Sequence, residues 1–293
     1  MANKGRALKG RIRSVQNTKK ITKTMELVST SKMKRAQDRV TAARPYAAAL
    51  AEVIADLWTP ELAERFALLR QPPPPTKGGP NRMALILITS NRGLCGAFNG
   101  NLIKEARRRI HGLEAESYTV DLYTVGKKGA GYFKYLGRPI AADRSDIGDS
   151  PTSAHAVSLA TPLIEEFVAG KLAGVEMVQA RFQSALSTPP ALVKVLPIVP
   201  PARTGARPDY ILKPDAATIL ENLLPLYVRN MVYKGLVETA ASEHAARRTA
   251  MKNATDNATE IVQLLTRIYN RNRQAVITQE IAEIVGGAAA LEQ

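Results

Sequence analysis

Residues 36–57 read AQDRVTAARPYAAALAEVIADL, and Ala36, Val40, Ala43, Ala47, Leu50, Ile54 and Leu57 recur in them at alternating steps of four and three. That spacing is the seam of a coiled coil, which brings small or apolar side chains back to one face and needs a second helix to cover them. Outward from it, the chain from Leu8 to Leu57 has no Gly after Gly10 and no Pro but Pro45, and Ala, Lys, Arg, Met and Gln dominate. These are strong helix formers. One long helix is predicted, a rod of roughly 80 Å at about 1.5 Å per residue.

The partner lies at the other end of the chain. From Asp215 to Val285 helical texture returns, with Asp215 after Pro214 as the predicted start and Pro225 as a kink soon after. Its seam is traced through Leu223, Tyr227, Val237, Ala241, Met251, Ala258, Leu265 and Ile268. The centre holds Thr249, Asn253, Thr255, Asp256, Asn257 and Thr259, too polar for an isolated core helix. Two such helices at opposite ends of one chain cover each other if they run antiparallel.

Between them the texture changes. Gln71 and four prolines, Pro72 to Pro75, precede Lys77-Gly78-Gly79-Pro80, which marks a linker. Met83–Thr89, Ser117–Val125, Val175–Ser184 and Leu192–Val199 are strand-like and rich in β-branched residues. Asn101–His111, Lys127–Leu136 and Thr152–Ala169 carry helical spacing. Strands alternating with helices predict a sheet covered on both faces. Leu186-Ser187-Thr188-Pro189-Pro190 is too short for a crossover, so the last two strands are predicted antiparallel and the sheet mixed. The expected organisation is a first long helix over 1–70, a linker over 71–81, an α/β domain over 82–205 and a second long helix over 206–293.

Composition narrows the function. The 293 residues, 45% apolar, are ample for a packed core. No apolar run approaches the roughly 20 residues that cross a bilayer, and MANKGRALKGRIRS has no secretory pattern, so a cytoplasmic chain is expected. Cys95 alone forms no internal disulfide and no cysteine-built metal site, and reads as a small buried side chain. The net charge is +15, and residues 1–44 carry 13 Lys or Arg against only Glu26 and Asp38. A polyanionic partner is therefore in question: nucleic acid, anionic lipid or an acidic protein surface.

Several separate stretches decide the preference. Ser14-Val15-Gln16-Asn17-Thr18-Lys19-Lys20-Ile21-Thr22-Lys23, with Met25-Glu26-Leu27-Val28 and Ser31-Lys32-Met33, resembles the N-terminal helix of gamma subunits of bacterial F-type ATP synthases. Ile277-Thr278-Gln279-Glu280-Ile281-Ala282-Glu283-Ile284-Val285-Gly286-Gly287-Ala288 is similar to that family's C-terminal signature. Ala250 to Ala258 and Ser90 to Gly96 match as well, in the right order along the whole chain. The resemblance implies α/β plus long helices, an antiparallel two-helix coiled coil of N- and C-terminal segments with a central Rossmann-like α/β domain of mixed sheet. It also implies a rotor of the F1 central stalk, turning inside a ring of three alpha and three beta subunits while its foot meets epsilon and the c-ring. Such a chain is not a catalyst, holds no cofactor or metal, binds no nucleic acid, and sits peripherally at the cytoplasmic face of the inner membrane.

By the same resemblance Met25, Lys32, Glu243, Arg247, Gln274, Thr278 and Glu280 couple the shaft to beta subunits or brace its helices, and Tyr210 and Lys213 belong to the foot. Blander readings stand beside these: Met25 as a gap-filling seam residue, Glu243 and Arg247 as a surface i,i+4 pair, Thr278 and Glu280 as a solvated helix end. The basic face of Lys19, Lys20, Lys23, Lys32, Lys34 and Arg35 suits an acidic lever loop on beta. Lys213 stands where many bacterial relatives carry an acid, and Pro225 falls inside a stretch usually helical. The tail Ile284–Leu291, mostly Gly and Ala, has no Trp, Tyr or Arg anchor and reads as a low-adhesion bearing.

Two other classes compete. A basic helix running into heptads is the layout of a zipper-type DNA reader, but aromatic stacking residues are missing and the middle domain has no role there. Gly93, Gly96 and Gly100 after the first strand evoke a nucleotide enzyme, yet neither G-x-G-x-x-G nor G-x-x-x-x-G-K-[ST] occurs. His111, His155 and His244 are scattered and build no constellation.

Overall fold

The computed structural model describes residues 2–199 and 215–291. Six α-helices and five strands occur in them: α1 (Ala2–Leu57), α2 (Pro60–Arg65), β1 (Arg82–Ile88), α3 (Phe98–Ala115), β2 (Thr119–Val125), α4 (Lys127–Tyr135), β3 (Ala142–Arg144), α5 (Ser153–Val168), β4 (Gly174–Ala180), β5 (Pro190–Leu196) and α6 (Ala216–Leu291). The two long helices and the mixed sheet are those expected. α1 continues through Pro45 and α6 through Pro225, so neither proline ends its helix. Asp215 starts α6 as predicted: its Oδ1 accepts the Thr218 amide at 2.9 Å and its Oδ2 the Thr218 hydroxyl at 2.8 Å. Thr152 caps α5 in a reciprocal box with His155, whose Nδ1 accepts the Thr152 amide, so that histidine is structural.

The chain divides into two compact units. One comprises α1 up to Val28 with α6 from Arg248, the other Ser29–Arg247. In the larger unit the sheet order is β3-β2-β1-β4-β5, parallel from β3 to β4, with β5 antiparallel to β4 as predicted. Alternation along β1 divides the core. Met83, Leu85 and Leu87 pack with Leu102, Ala106 and Ile110 of α3, whereas Ala84, Ile86 and Ile88 join α5, the end of α1 and the start of α6. Both faces are covered, which explains why β1 and β4 read as continuous apolar runs.

The same unit shows the helices antiparallel. Leu50, Ile54 and Leu57 lie in one core cluster with Leu220, Leu224 and Val228. Farther back on α1, Ala36 and Val40 cluster with Val237 and Ala241, farther along α6. All seven α1 seam positions from Ala36 to Leu57 are buried or half-buried.

In the smaller unit the four-three rhythm persists with other residue types. Gly5, Leu8, Ile12, Val15 and Lys19 are half-buried and Thr22 is buried in α1 there, with Met25 and Glu26 half-buried beyond them. On α6 Met251, Thr255 and Ala258 are buried, and Val262, Leu265 and Tyr269 continue the same spacing half-buried. Thr255, read from sequence as part of a polar centre, is a buried seam residue whose hydroxyl donates to the Met251 carbonyl at 2.8 Å and lies in hydrogen-bond contact with Thr22 Oγ1, also at 2.8 Å. Ile268, placed in the seam from sequence, is 42% exposed, because the step of four after Leu265 brings Tyr269 inward instead.

Candidate functional site

Residues 235–247 of α6, GLVETAASEHAAR, are buried at every position except the half-buried Ala246. A helix lying on a surface exposes one face; this segment is enclosed on all sides. Its polar side chains therefore need internal partners. Gly235 begins it because a β-carbon there would lie 2.3 Å from Gln179 Oε1 and 2.6 Å from Met177 Cε. One turn on, Thr239 Oγ1 accepts the amide of Ala180, the last residue of β4, at 3.2 Å. Another turn on, Glu243 pairs with Arg247 at 2.7 Å, and the Arg247 guanidinium also donates to the carbonyls of Arg92 and Gly93.

The loop after β1 that receives Arg247 is held by its own side chains. Asn91 Nδ2 donates to the carbonyls of Ser145 and Ile147, and its Oδ1 accepts the Lys127 amide at 3.0 Å. Thr89 Oγ1 accepts the Gly129 amide at 2.9 Å. Asp149, on the same side, is paired with Lys32 of α1. Thr89, Asn91, Asp149, Thr239 and Glu243 line the small cleft that remains.

Charge inside the cluster follows from burial. Burial pushes the Glu243 carboxyl upward, with Arg247 opposing. Burial also works against the Asp149 charge, but the Lys32 hydrogen bond with the nearby cations leaves that carboxyl below its usual range. His244, 2% exposed, falls from 6.5 to about 4, chiefly by burial, with Asp149 opposing and Arg247 and Lys32 adding to the fall. Its Nδ1 has no hydrogen-bond partner, so it is held neutral rather than poised for proton transfer. A histidine whose folded pKa is depressed favours the fold fully above 6.5 and loses that contribution as pH falls towards 4. The loss is on the order of 3 kcal/mol. His244→Gln is expected to flatten this part of the stability profile, measured as urea midpoints between pH 7 and 4; a profile unchanged from that of the parent chain would count against it.

In open α/β sheets ligands bind beyond the carboxyl ends of the strands, where strand order reverses. Here the reversal lies between β1 and β4, and α6 occupies it: Thr239 bonds the end of β4 and Arg247 the loop after β1. The place of a nucleotide is filled by the chain's own helix. Among the described residues no group of three His, Cys, Asp or Glu side chains is arranged for a metal.

Of the residues singled out from sequence, Lys32, Glu243 and Arg247 meet at this cluster. Glu243 and Arg247 are buried, unlike an ordinary surface pair. Met25 is half-buried on α1 in the smaller unit, while Gln274, Thr278 and Glu280 are exposed on α6, with the Thr278 hydroxyl bonded to the Gln274 carbonyl at 2.9 Å. Tyr210 and Lys213 lie outside the described residues. Sequence reasoning missed Asn91, Asp149, Gly235 and Thr239. Gly235, a glycine inside a helical pattern, was the one available signal of close packing.

An antiparallel helical pair is keyed to an α/β domain whose crevice it already fills. The chain matches the family model described as ATP synthase over residues 4–291. It is 59% identical over 292 residues to the ATP synthase gamma chain of Gemmatimonas aurantiaca, covering 99% of both chains, and 42% identical to that of Leptospira biflexa, covering 98% of both. It shares its fold with a chain of the Euglena gracilis mitochondrial ATP synthase, with a TM-score of 0.68, 19% identity, and 99% and 95% of the two chains covered. The chain belongs to the ATP synthase gamma chain family.

Proposed function

We propose that this chain is the central shaft of a proton-translocating ATP synthase, seated in a ring of three alpha and three beta subunits, with its α/β domain as the foot that meets epsilon and the c-ring. The observation that carries the reading is the antiparallel pairing of α1 with α6: one chain supplies both strands of an axle and the domain at its root. In this role Met25, Gln274, Thr278 and Glu280 contact beta subunits, Lys32, Glu243 and Arg247 brace the shaft beside those contacts, and Tyr210 and Lys213 belong to the foot. The division into first helix, linker, foot and second helix is the functional division as well.

The basic N-terminal segment suits an acidic surface on beta, where unlike charges steer association and salt weakens it. No helix among the described residues is long and apolar enough to cross a membrane. The chain is then peripheral at the cytoplasmic face of the inner membrane, carried by its contacts with the c-ring. A tagged chain is expected to bring down alpha, beta and epsilon subunits as one ATPase, while the purified chain alone neither binds nor hydrolyses ATP. Recovery of the chain without those partners, or turnover by the chain alone, would overturn the reading.

A further inference from the structure

A shaft is useful only if its root does not slip. Most of the contact between α1, α6 and the sheet is apolar, and apolar contact is non-directional. Hydrogen bonds fix direction as well as distance. The structure has such bonds at two separate places, one on each long helix. On α1, Lys32 is paired with Asp149 of the α/β domain. On α6, Thr239 is bonded to the end of β4 and Arg247 to the carbonyls of Arg92 and Gly93. The receiving loop does not float, because Asn91 ties it to the Ser145–Ile147 segment and to the start of α4. Asp149 follows two residues after that tied segment. These side chains reach about 5–6 Å from their helix axes, so each bond acts on a lever arm against rotation.

Resting on the rotor reading, we propose that Asp149 and the Asn91-pinned loop are positioning residues that lock α1 and α6 each to the α/β domain, so that turning of the domain passes to both helices without slip. The burial of Glu243 fits this. A buried ion pair adds little net stability against an apolar substitute but specifies one arrangement, and here it aims the Arg247 fork at the loop.

The test uses the assembled ATPase complex held by its beta subunits, with a probe on Tyr135→Cys, a position that is 88% exposed, while Cys95 is buried. The quantity read is the angular spread of the probe while the motor waits for ATP. Asn91→Ala, which frees the loop, is expected to widen the spread by about one and a half-fold or more. Asp149→Asn should widen it less, and Lys32→Asp with Asp149→Lys should restore it, a rescue that general loss of packing would not give. The proton-pumping to hydrolysis ratio should fall in the same order. If Asn91→Ala does not assemble, the nearly isosteric Asp149→Asn gives the reading. Parental spread in both assembled variants, or a charge-reversed pair as loose as Asp149→Lys alone, would overturn the lock. A parent complex whose probe does not turn would remove the rotor reading itself.

Discussion

Replacing Arg247 by Ala is expected to cost about 3–5 kcal/mol of stability, the penalty for leaving one partner of a buried ion pair alone. The Glu243 side chain is only 11% exposed and Arg247 10%, so water does not replace the lost cation. Burial already raises the Glu243 carboxyl and Arg247 opposes that rise. Without Arg247 the carboxyl rises further and takes up a proton. A group whose folded pKa is raised favours the fold below its unfolded pKa and loses that contribution as pH rises. The defect should therefore be largest at neutral and higher pH and shrink as pH falls towards about 4.5. Replacing both residues, Glu243→Leu with Arg247→Leu, should restore most of the loss, since an apolar pair carries no charge to desolvate. Urea unfolding of the single and double variants reads both effects. A single variant within about 1 kcal/mol of the parent chain would show the pair to be no better than a surface one.

Gly126→Ala should be comparably damaging for a different reason. Gly126 has φ +93, a left-handed conformation, and a β-carbon there would lie 2.1 Å from the Thr89 carbonyl oxygen and 2.7 Å from its carbon. Neither atom can rotate away, because Thr89 is fixed by the bond from its amide to the Val125 carbonyl and by the Gly129 amide on its hydroxyl. Strain and overpacking together are expected to cost about 3 kcal/mol or more. Gly100→Ala is the contrast. Gly100 lies in helix α3 with nothing within 4 Å of a new β-carbon, so the same change should be neutral or stabilise by up to about 1 kcal/mol. Equal melting temperatures for the two variants would contradict this.

The parts of the fold that could be read from sequence are those in which packing is apolar and local. Ala36 to Leu57 betrayed the coil because each seam position is apolar, and β1 and β4 betrayed the sheet because both faces are covered. The coil of the smaller unit was harder to trace. Gly5, Lys19, Thr22 and Thr255 keep the spacing but not the hydrophobicity, so Thr255 passed for surface and Ile268 for core. β3 has three residues and α2 six, too short for either period to register. The site divided in the same way. Lys32, Glu243 and Arg247 stood out through resemblance, whereas Asp149 lies 117 residues from Lys32, in a segment without periodic pattern. Only the folded sheet brings it to α1. Asn91 was quoted within a matching stretch, but nothing local says that its amide ties two other segments together.

The most direct measurement is a staple across the coil. Thr22 and Thr255 are buried with their hydroxyls 2.8 Å apart, and cysteines at these two positions should join under mild oxidation within a single chain. In the assembled complex the oxidised staple is expected to leave ATP hydrolysis and rotation running, because the two helices turn as one body. Failure of the link to form within the chain, or activity that is lost on oxidation and returns on reduction, would mean that α1 and α6 are not a single axle.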